Sequence, residues 1–219
     1  MSITKCFRRL CAAAFLLSTT PVIGTLAYAQ AIPGYPNSIN DNDPREIAML
    51  PRYCIHTHSF NNVPGASNAE NVRYVATLGE GFRSMHHYCW GLMKTNRALL
   101  LARDPTIRQY YLQDSLGEFD YVIANSPKEF VMLPEIHTKK GENLLRLGRS
   151  VEGFKELQTA IDLKPDYWPP YVAMSDHYKN LGDIKKARES LEKGLETSPG
   201  VKALTTRLSE LDAIKSKRK

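Results

Sequence analysis

The feature that most constrains this chain is a self-match at an offset of 34 residues near its C-terminus. The matching pairs are Pro165 and Pro199, Gly148 and Gly182, Leu144 and Tyr178, Leu157 and Leu191, and Ala160 and Gly194. Such a period, with small residues, an aromatic residue and a closing proline, is typical of helix-turn-helix units that stack side by side. Stacked units usually present a concave surface that binds other proteins.

The repeated residues have distinct physical roles in a pair of helices. Spacings of three and four predict one shared face of a first helix for Tyr171, Met174, Ser175 and Tyr178. Small residues such as Gly141 and Ser175 are expected where two helices cross, because they let the backbones approach closely. Gly148 and Gly182 are expected to end first helices in a left-handed conformation. Pro199 cannot continue a second helix.

These positions resemble the tetratricopeptide repeat family. Residues 168–199 match it at Tyr171, Met174, Ser175, Tyr178, Ala187, Leu191, Gly194 and Pro199. Residues 134–165 match it at Gly141, Leu144, Leu157, Ala160 and Pro165, with His137 and Lys140 in place of the tyrosine and the methionine. The resemblance implies an all-α fold, a short right-handed α-solenoid of about three helix-turn-helix units.

The resemblance also implies a division of the chain. Residues 85–133 would form a degenerate first repeat, residues 134–167 and 168–201 two repeats, and residues 202–219 a capping helix and basic tail. Within the first repeat, a long first helix is predicted over residues 85–103. A stripe of Leu204, Leu208 and Leu211 would cover the last repeat, as the terminal unit of such a stack requires.

The N-terminus has the three parts of a signal peptide. A basic start with Arg8 and Arg9 precedes a short apolar core at residues 10–17 and an Ala-Tyr-Ala cleavage sequence at residues 27–29. The first 29 residues are therefore predicted to be removed, leaving Gln30 as the new N-terminus. We expect an exported protein, periplasmic in a cell that has an outer membrane.

The mature chain is predicted to begin with a flexible lead-in, residues 30–50, which is rich in Pro, Asn and Asp. No later stretch is apolar enough to span a membrane, so no transmembrane segment is expected after signal cleavage. Without the three basic residues of the leader, the 29 basic and 23 acidic residues leave a net charge of +3. Much of this excess lies in a short basic tail formed by Lys215, Lys217, Arg218 and Lys219. Such a tail suits weak contact with an anionic surface and is too small for nucleic-acid binding.

Residues 51–84 are predicted to form an N-terminal extension of irregular and helical structure. Four of the six histidines and both cysteines that follow the leader fall between residues 54 and 89. Residues 54–58 are predicted to be extended, and a short helix is predicted from Asn68, as its N-cap, to about Leu78.

Three interpretations of the cysteines and histidines remain open. In an oxidising compartment Cys54 and Cys89 would pair, and closing a loop of about 35 residues would contribute ~4 kcal/mol. Alternatively, these residues would form a metal-binding or redox accessory site. Side chains on one face of an extended segment would meet side chains on one face of a helix, and together they would be a set of ligands suited to copper or zinc. That set is Cys54, His56, His58, His86 and Cys89. The third interpretation, a catalytic Cys/His pair, lacks an orienting acid and an oxyanion hole.

The sequence carries no other catalytic signal. It has no phosphate-binding glycine loop, no GxSxG and no HExxH, and nothing indicates a cofactor. His137 is predicted to be a partly buried packing residue, and His177 a solvent-exposed or groove residue. We therefore expect a binding protein and not an enzyme.

The resemblance implies that binding uses the inner groove formed by first helices. The groove positions correspond to Thr138, Glu142 and Arg146 in one repeat and to Val172, Asp176, Lys179 and Asn180 in the next. Family members that clamp a C-terminal carboxylate carry asparagines where this chain has Glu142 and Asp176, so a different specificity is expected. The predicted partner is a protein or peptide of the cell envelope. Family members in that compartment commonly assist assembly of envelope machinery or polysaccharide export.

Overall fold

The computed structural model describes residues 43–60 and 62–217, with side chains up to residue 214. The predicted signal peptide, residues 30–42 of the lead-in and the side chains of the basic tail lie outside the described residues. The remainder of the lead-in contains a short helix, which Asp43 caps by accepting a hydrogen bond from the backbone N–H of Arg45 at 2.9 Å.

The described residues are helical and contain no strand. They form nine α-helices, α1 Pro44–Ile47, α2 Asn68–Leu78, α3 Met85–Asn96, α4 Pro105–Ala124, α5 Leu133–Arg146, α6 Ser150–Leu163, α7 Pro169–Asn180, α8 Ile184–Thr197 and α9 Lys202–Lys217. Three 3-10 segments, Arg52–His56, His58–Phe60 and Glu80–Ser84, surround α2, and the π-helical segment Arg97–Leu101 continues α3. From α3 onward each helix packs against the next one, and α5 also packs against α7. The predicted all-α class is confirmed.

Local sequence signals account for the ends of the helices. Gly148 and Gly182 have φ values of 77° and 79° directly after α5 and α7, which confirms the predicted left-handed ends. The predicted cap of α2 is displaced by one residue, because the hydroxyl of Ser67 accepts a hydrogen bond from the backbone N–H of Glu70 at 3.3 Å. Asp104 caps α4 in the same way, accepting from the backbone N–H of Thr106 at 2.7 Å.

Helices α5 and α6 cross closely at two glycines. A Cβ atom added at Gly141 would lie 2.9 Å from the Cγ of Leu157 and 3.0 Å from the carbonyl oxygen of Gly153. Neither distance leaves space for a methyl group, so the small residue predicted at this crossing is required by the packing.

Separate apolar clusters hold the first and the last helices of the region from α3 to α9. Around α3, α4 and the start of α5 the buried residues include Phe82, Tyr88, Phe119, Phe130 and Ile136. Around α7, α8 and α9 they are Tyr171, Ala187, Leu191, Leu204 and Leu211. The leucine stripe predicted on the last helix therefore packs inward, with Leu204 and Leu211 buried.

The N-terminal extension is attached to α3 by a disulfide between Cys54 and Cys89, whose Cα atoms are 5.8 Å apart. The predicted extended stretch around Cys54 is wrong. Residues Arg52–His56 form a 3-10 turn, in which the N–H of Cys54 bonds to the carbonyl of Pro51 at 2.9 Å. A turn of this kind satisfies backbone hydrogen bonds within itself, so it can carry the sulfur of Cys54 to α3. An extended segment would need a partner strand to satisfy them.

Candidate functional site

An open cleft of about 560 Å³ lies between α5, α7 and α9. Its lining combines acidic, basic and aromatic side chains with short apolar ones. The lining residues are Glu135, Lys139, Glu142, Leu145, Arg146, Tyr167, Trp168, Pro169, Val172, Ala173, Asp176, His177, Asn180, Ala203 and Arg207. The packing of α5 against α7 places two first helices of the 34-residue register along one side of this space.

Five of the seven side chains predicted for the groove line this cleft together. They are Glu142, Arg146, Val172, Asp176 and Asn180. Thr138 does not line it, because its side chain is buried and its hydroxyl donates to the carbonyl of Pro134 at 2.7 Å. Lys179 is also outside the lining, with its amine 3.3 Å from a carboxylate oxygen of Asp176.

The charges of the cleft are arranged in pairs. On α5, one carboxylate oxygen of Glu142 lies 3.3 Å from the amine of Lys139 and 3.4 Å from the guanidinium of Arg146. Between α7 and α9, Asp176 accepts a hydrogen bond from Arg207 at 2.9 Å. All these side chains are partly exposed, so each pair contributes little to folding and can exchange partners with a ligand.

The orientation of Arg146 depends on a buried amide. Asn143 is fully buried, and its Oδ1 accepts a hydrogen bond from Arg146 at 2.9 Å. Its Nδ2 donates to the hydroxyl of Thr95 on α3 at 2.6 Å and to that of Ser115 on α4 at 2.8 Å. One side chain therefore joins three helices to a cationic group of the cleft.

The end of the cleft formed by the first turn of α5 and the segment before α7 is aromatic and acidic. The carboxylate of Glu135 accepts a hydrogen bond from the hydroxyl of Tyr88 at 2.5 Å. Burial raises the pKa of the Tyr167 hydroxyl above its ordinary value of 10.0, and the carboxylates of Glu135 and Glu142 raise it further. Tyr167 therefore remains a neutral hydrogen-bond donor, and Trp168 lies beside it in the lining.

Two histidines of the repeat region have different surroundings. His177 lines the cleft, is half-buried and lies 3.2 Å from the hydroxyl of Ser150. His137 faces α6 instead, where its Nδ1 is 2.6 Å from the carboxylate of Glu156 and its side chain is 12 % exposed. This burial confirms the prediction for His137. The amine of Lys140 completes the cluster, 2.6 Å from Glu156 and 2.7 Å from Asp120.

A similar cluster occurs between α3 and α4. Glu118 lies 2.6 Å from the Nδ1 of His87 and 2.5 Å from the amine of Lys94, which is also 2.7 Å from Asp114. The ring of His87 stacks on Tyr121 with centroids 3.7 Å apart. These groups satisfy one another, and they tie neighbouring helices together.

The cysteine and histidine cluster of the extension is not arranged as a set of metal ligands. Both sulfurs are in the disulfide and fully buried, and thiolates are the form of cysteine that binds metals. The ring of His56 stacks on Tyr74 at a centroid distance of 6.0 Å, and the rings of His58 and His86 are 6.1 Å apart. Within residues 43–60 and 62–217, no group of three or more His, Cys, Asp or Glu side chains is placed to hold a metal ion.

Several residues of the cleft were missed by sequence reasoning. Glu135, Tyr167 and Trp168 lie at the ends of the 34-residue unit and not on the face that the period marks. Arg207 comes from α9, which was predicted only as a cap. The charged and aromatic character of these residues was visible in the sequence, but their common location was not.

Neither a protein-family model nor a curated protein matches this chain. Across the part of the chain that the structure describes, no helix has the length and apolarity needed to cross a membrane. The cleft and the ion pairs around it supply the geometric basis for a functional proposal.

Proposed function

We propose that this chain is an exported protein-interaction module that binds a protein or peptide of the cell envelope in the cleft between α5, α7 and α9. One observation carries the proposal. Five residues at the groove positions implied by the family resemblance line a single open cleft of about 560 Å³. Their convergence is what a shared binding surface requires.

The repeated architecture is part of this proposal. The helix pairs α5/α6 and α7/α8 would be two tetratricopeptide-like repeats, α3/α4 a degenerate first repeat and α9 the capping helix of a short right-handed solenoid. The equal left-handed ends at Gly148 and Gly182 support this assignment. So does the close approach at Gly141 on α5, whose counterpart 34 residues later, Ser175 on α7, is also small and buried.

The chemistry of the lining suits a polypeptide segment. Trp168 and Tyr167 offer apolar faces with polar tips, which are favoured in interfaces. The paired charges of Glu142, Arg146, Asp176 and Arg207 can exchange an internal partner for one on the ligand. Mixed charges of this kind favour orientation and specificity over high affinity.

Export is supported by two independent features. The first 29 residues have the composition of a signal peptide, and a buried disulfide is typical of proteins that fold in an oxidising compartment. In a cell with an outer membrane the compartment would be the periplasm. N-terminal sequencing of the exported protein tests the first feature and should begin at Gln30. Retention of the leader on the secreted chain would contradict it.

The binding proposal is tested by charge reversal in the cleft. Replacing Arg146 and Arg207 together with glutamate should abolish affinity capture of the partner from an envelope extract, with helicity measured by circular dichroism unchanged. The matched control is the double change Lys185→Glu and Lys193→Glu, which alters the net charge equally on exposed positions of α8 outside the lining. Equal capture of the same partner by both double variants would exclude the cleft.

A further inference from the structure

Glu135 differs from the other acidic residues of the cleft, because no Lys, Arg or His side chain of the described part of the chain forms an ion pair with it. Glu142 is paired with Lys139 and Arg146, and Asp176 is paired with Lys179 and Arg207. Among the described residues, the one hydrogen bond to the side chain of Glu135 comes from the neutral hydroxyl of Tyr88. A half-buried carboxylate without an ion-pair partner among the described residues therefore lines the cleft.

The hydrogen bond from Tyr88 gives this carboxylate a fixed position. Tyr88 is fully buried in the core around α3 and α4, so its hydroxyl cannot follow a mobile side chain. The bond is 2.5 Å long and holds one carboxylate oxygen, which leaves the second oxygen of Glu135 to accept from a ligand. A carboxylate that is held in place before binding loses less conformational freedom when a partner arrives.

The surroundings of Glu135 favour a positive charge. Tyr167 and Trp168 line the same end of the cleft, and aromatic faces attract ammonium and guanidinium groups. Burial raises the pKa of Tyr167, and the carboxylates of Glu135 and Glu142 add to this effect. An anionic ligand would be repelled here, and an apolar one would bury the carboxylate without compensation.

We propose that this end of the cleft is a specificity pocket for a lysine or arginine side chain of the bound polypeptide, with Glu135 as its counter-ion and Tyr167 and Trp168 as its walls. The inference rests on the proposed binding function and adds the chemistry of the ligand. The ammonium or guanidinium group would donate to the free oxygen of Glu135 while its methylene stem packs on the aromatic rings. Basic polypeptide segments are thus preferred over neutral and acidic ones.

A phage-displayed library of random dodecapeptides tests the inference without a known partner. Selection on the wild-type protein should enrich sequences with lysine or arginine at one aligned position. The variant Glu135→Gln keeps the acceptor for Tyr88 and removes the charge, and it should lose the enrichment at that position. Glu152→Gln, on the exposed surface of α6 outside the lining, is the matched control and should retain it.

Changing the peptide instead of the protein avoids any effect on the folding of the protein. For a selected peptide, replacing its conserved basic residue with glutamine should weaken binding to the wild-type protein by about 10-fold or more. The same change in the peptide should weaken its binding to the Glu135→Gln variant only slightly, because the charge of Glu135, with which the basic residue would pair, is already absent.

The possible results separate the inference from the function on which it rests. The selection could enrich peptides that compete with each other for the cleft but share no conserved basic residue. That result would overturn the specificity pocket and leave the binding function standing. Equal basic enrichment on Glu135→Gln and on the wild type would overturn it as well. A library that enriches no sequence on the wild-type protein would overturn both.

Discussion

The hydroxyl of Tyr88 on α3 donates a hydrogen bond of 2.5 Å to the carboxylate of Glu135 on α5. Tyr88 is followed directly by Cys89, whose sulfur is bonded to Cys54 of the N-terminal extension. The disulfide and the acidic end of the cleft are therefore connected through two neighbouring residues of one helix. This connection ties the extension to the cleft, since it fixes the helix whose Tyr88 positions Glu135.

The disulfide is expected to make a large contribution to stability. Replacing Cys54 and Cys89 together with alanine should lower the free energy of unfolding by about 4 kcal/mol, because the unfolded chain loses a constraint over a long loop. Urea unfolding of the variant and the wild type measures this difference. Intact mass of the exported protein should be two hydrogens below that of the reduced chain. Two titratable thiols in the exported protein would contradict the prediction.

Two glycines in helices should respond oppositely to the same substitution. Gly141→Ala should destabilise the protein by about 1–3 kcal/mol, since the added Cβ would lie 2.9 Å from Leu157 and 3.0 Å from the backbone of Gly153. Gly117→Ala is the control, because a Cβ on this exposed position of α4 meets nothing within 4 Å. It should stabilise by about 0.5–1 kcal/mol. The melting temperature of Gly141→Ala should lie below that of the wild type, and the melting temperature of Gly117→Ala should lie above it. A higher melting temperature for Gly141→Ala would refute the close crossing.

The buried amide of Asn143 should be costly to remove. Asn143→Ala deletes the donor to Thr95 and Ser115, and we expect a loss of about 1–3 kcal/mol in the free energy of unfolding. Asn125→Ala is the control, because Asn125 is exposed and its side chain bonds, among the described residues, to the carbonyl of Tyr121 four residues earlier. Denaturant titrations that give equal losses for the two variants would show that the amide does not join the helices.

The cluster around Glu156 predicts a dependence of stability on pH. Burial alone would raise the pKa of this carboxyl, but hydrogen bonds from His137 and Lys140 outweigh burial and hold the pKa below its ordinary value of 4.5. A depressed pKa in the folded state stabilises the protein above the unfolded value, and this stabilisation is lost as the pH falls through the folded value. Glu156→Gln should therefore be less stable than the wild type at neutral pH, with the difference shrinking below about pH 4.5.

Urea unfolding at a series of pH values measures this difference. The control is Glu129→Gln, an exposed position with no ion pair among the described residues. It should leave the pH profile unchanged. A constant gap between the wild type and Glu156→Gln down to acid pH would contradict the assignment.

Local signals made much of the helical structure predictable. The left-handed ends at Gly148 and Gly182 depend on the helix turn that each one closes. The small residue at 141 and the apolar face around Tyr171 contact the neighbouring helix, and the 34-residue period marks them because each repeat brings the same helix next. The pairing of Cys54 and Cys89 was also among the predictions and is confirmed. The sequence contains two cysteines after the leader, so one pairing was available.

Long-range polar contacts were not predictable from the period. The hydrogen bond between Tyr88 and Glu135 joins residues 47 positions apart, and that between Asn143 and Thr95 joins residues 48 apart. No spacing rule specifies which polar side chains meet across three helices. The 3-10 turn at Arg52–His56 was missed because its conformation follows from attachment to α3 and not from its own residues.

Site-specific photocrosslinking in living cells tests the binding cleft most directly. A photoreactive residue at Asn180, an exposed position of the cleft lining on α7, should form a discrete adduct with an envelope protein. The same residue at Val151, which is 86 % exposed on α6 and outside the lining, should form none. The adduct at Asn180 should disappear when Arg146 and Arg207 are both replaced with glutamate. An adduct at Val151 together with none at Asn180 would contradict the assignment of the cleft as the binding surface.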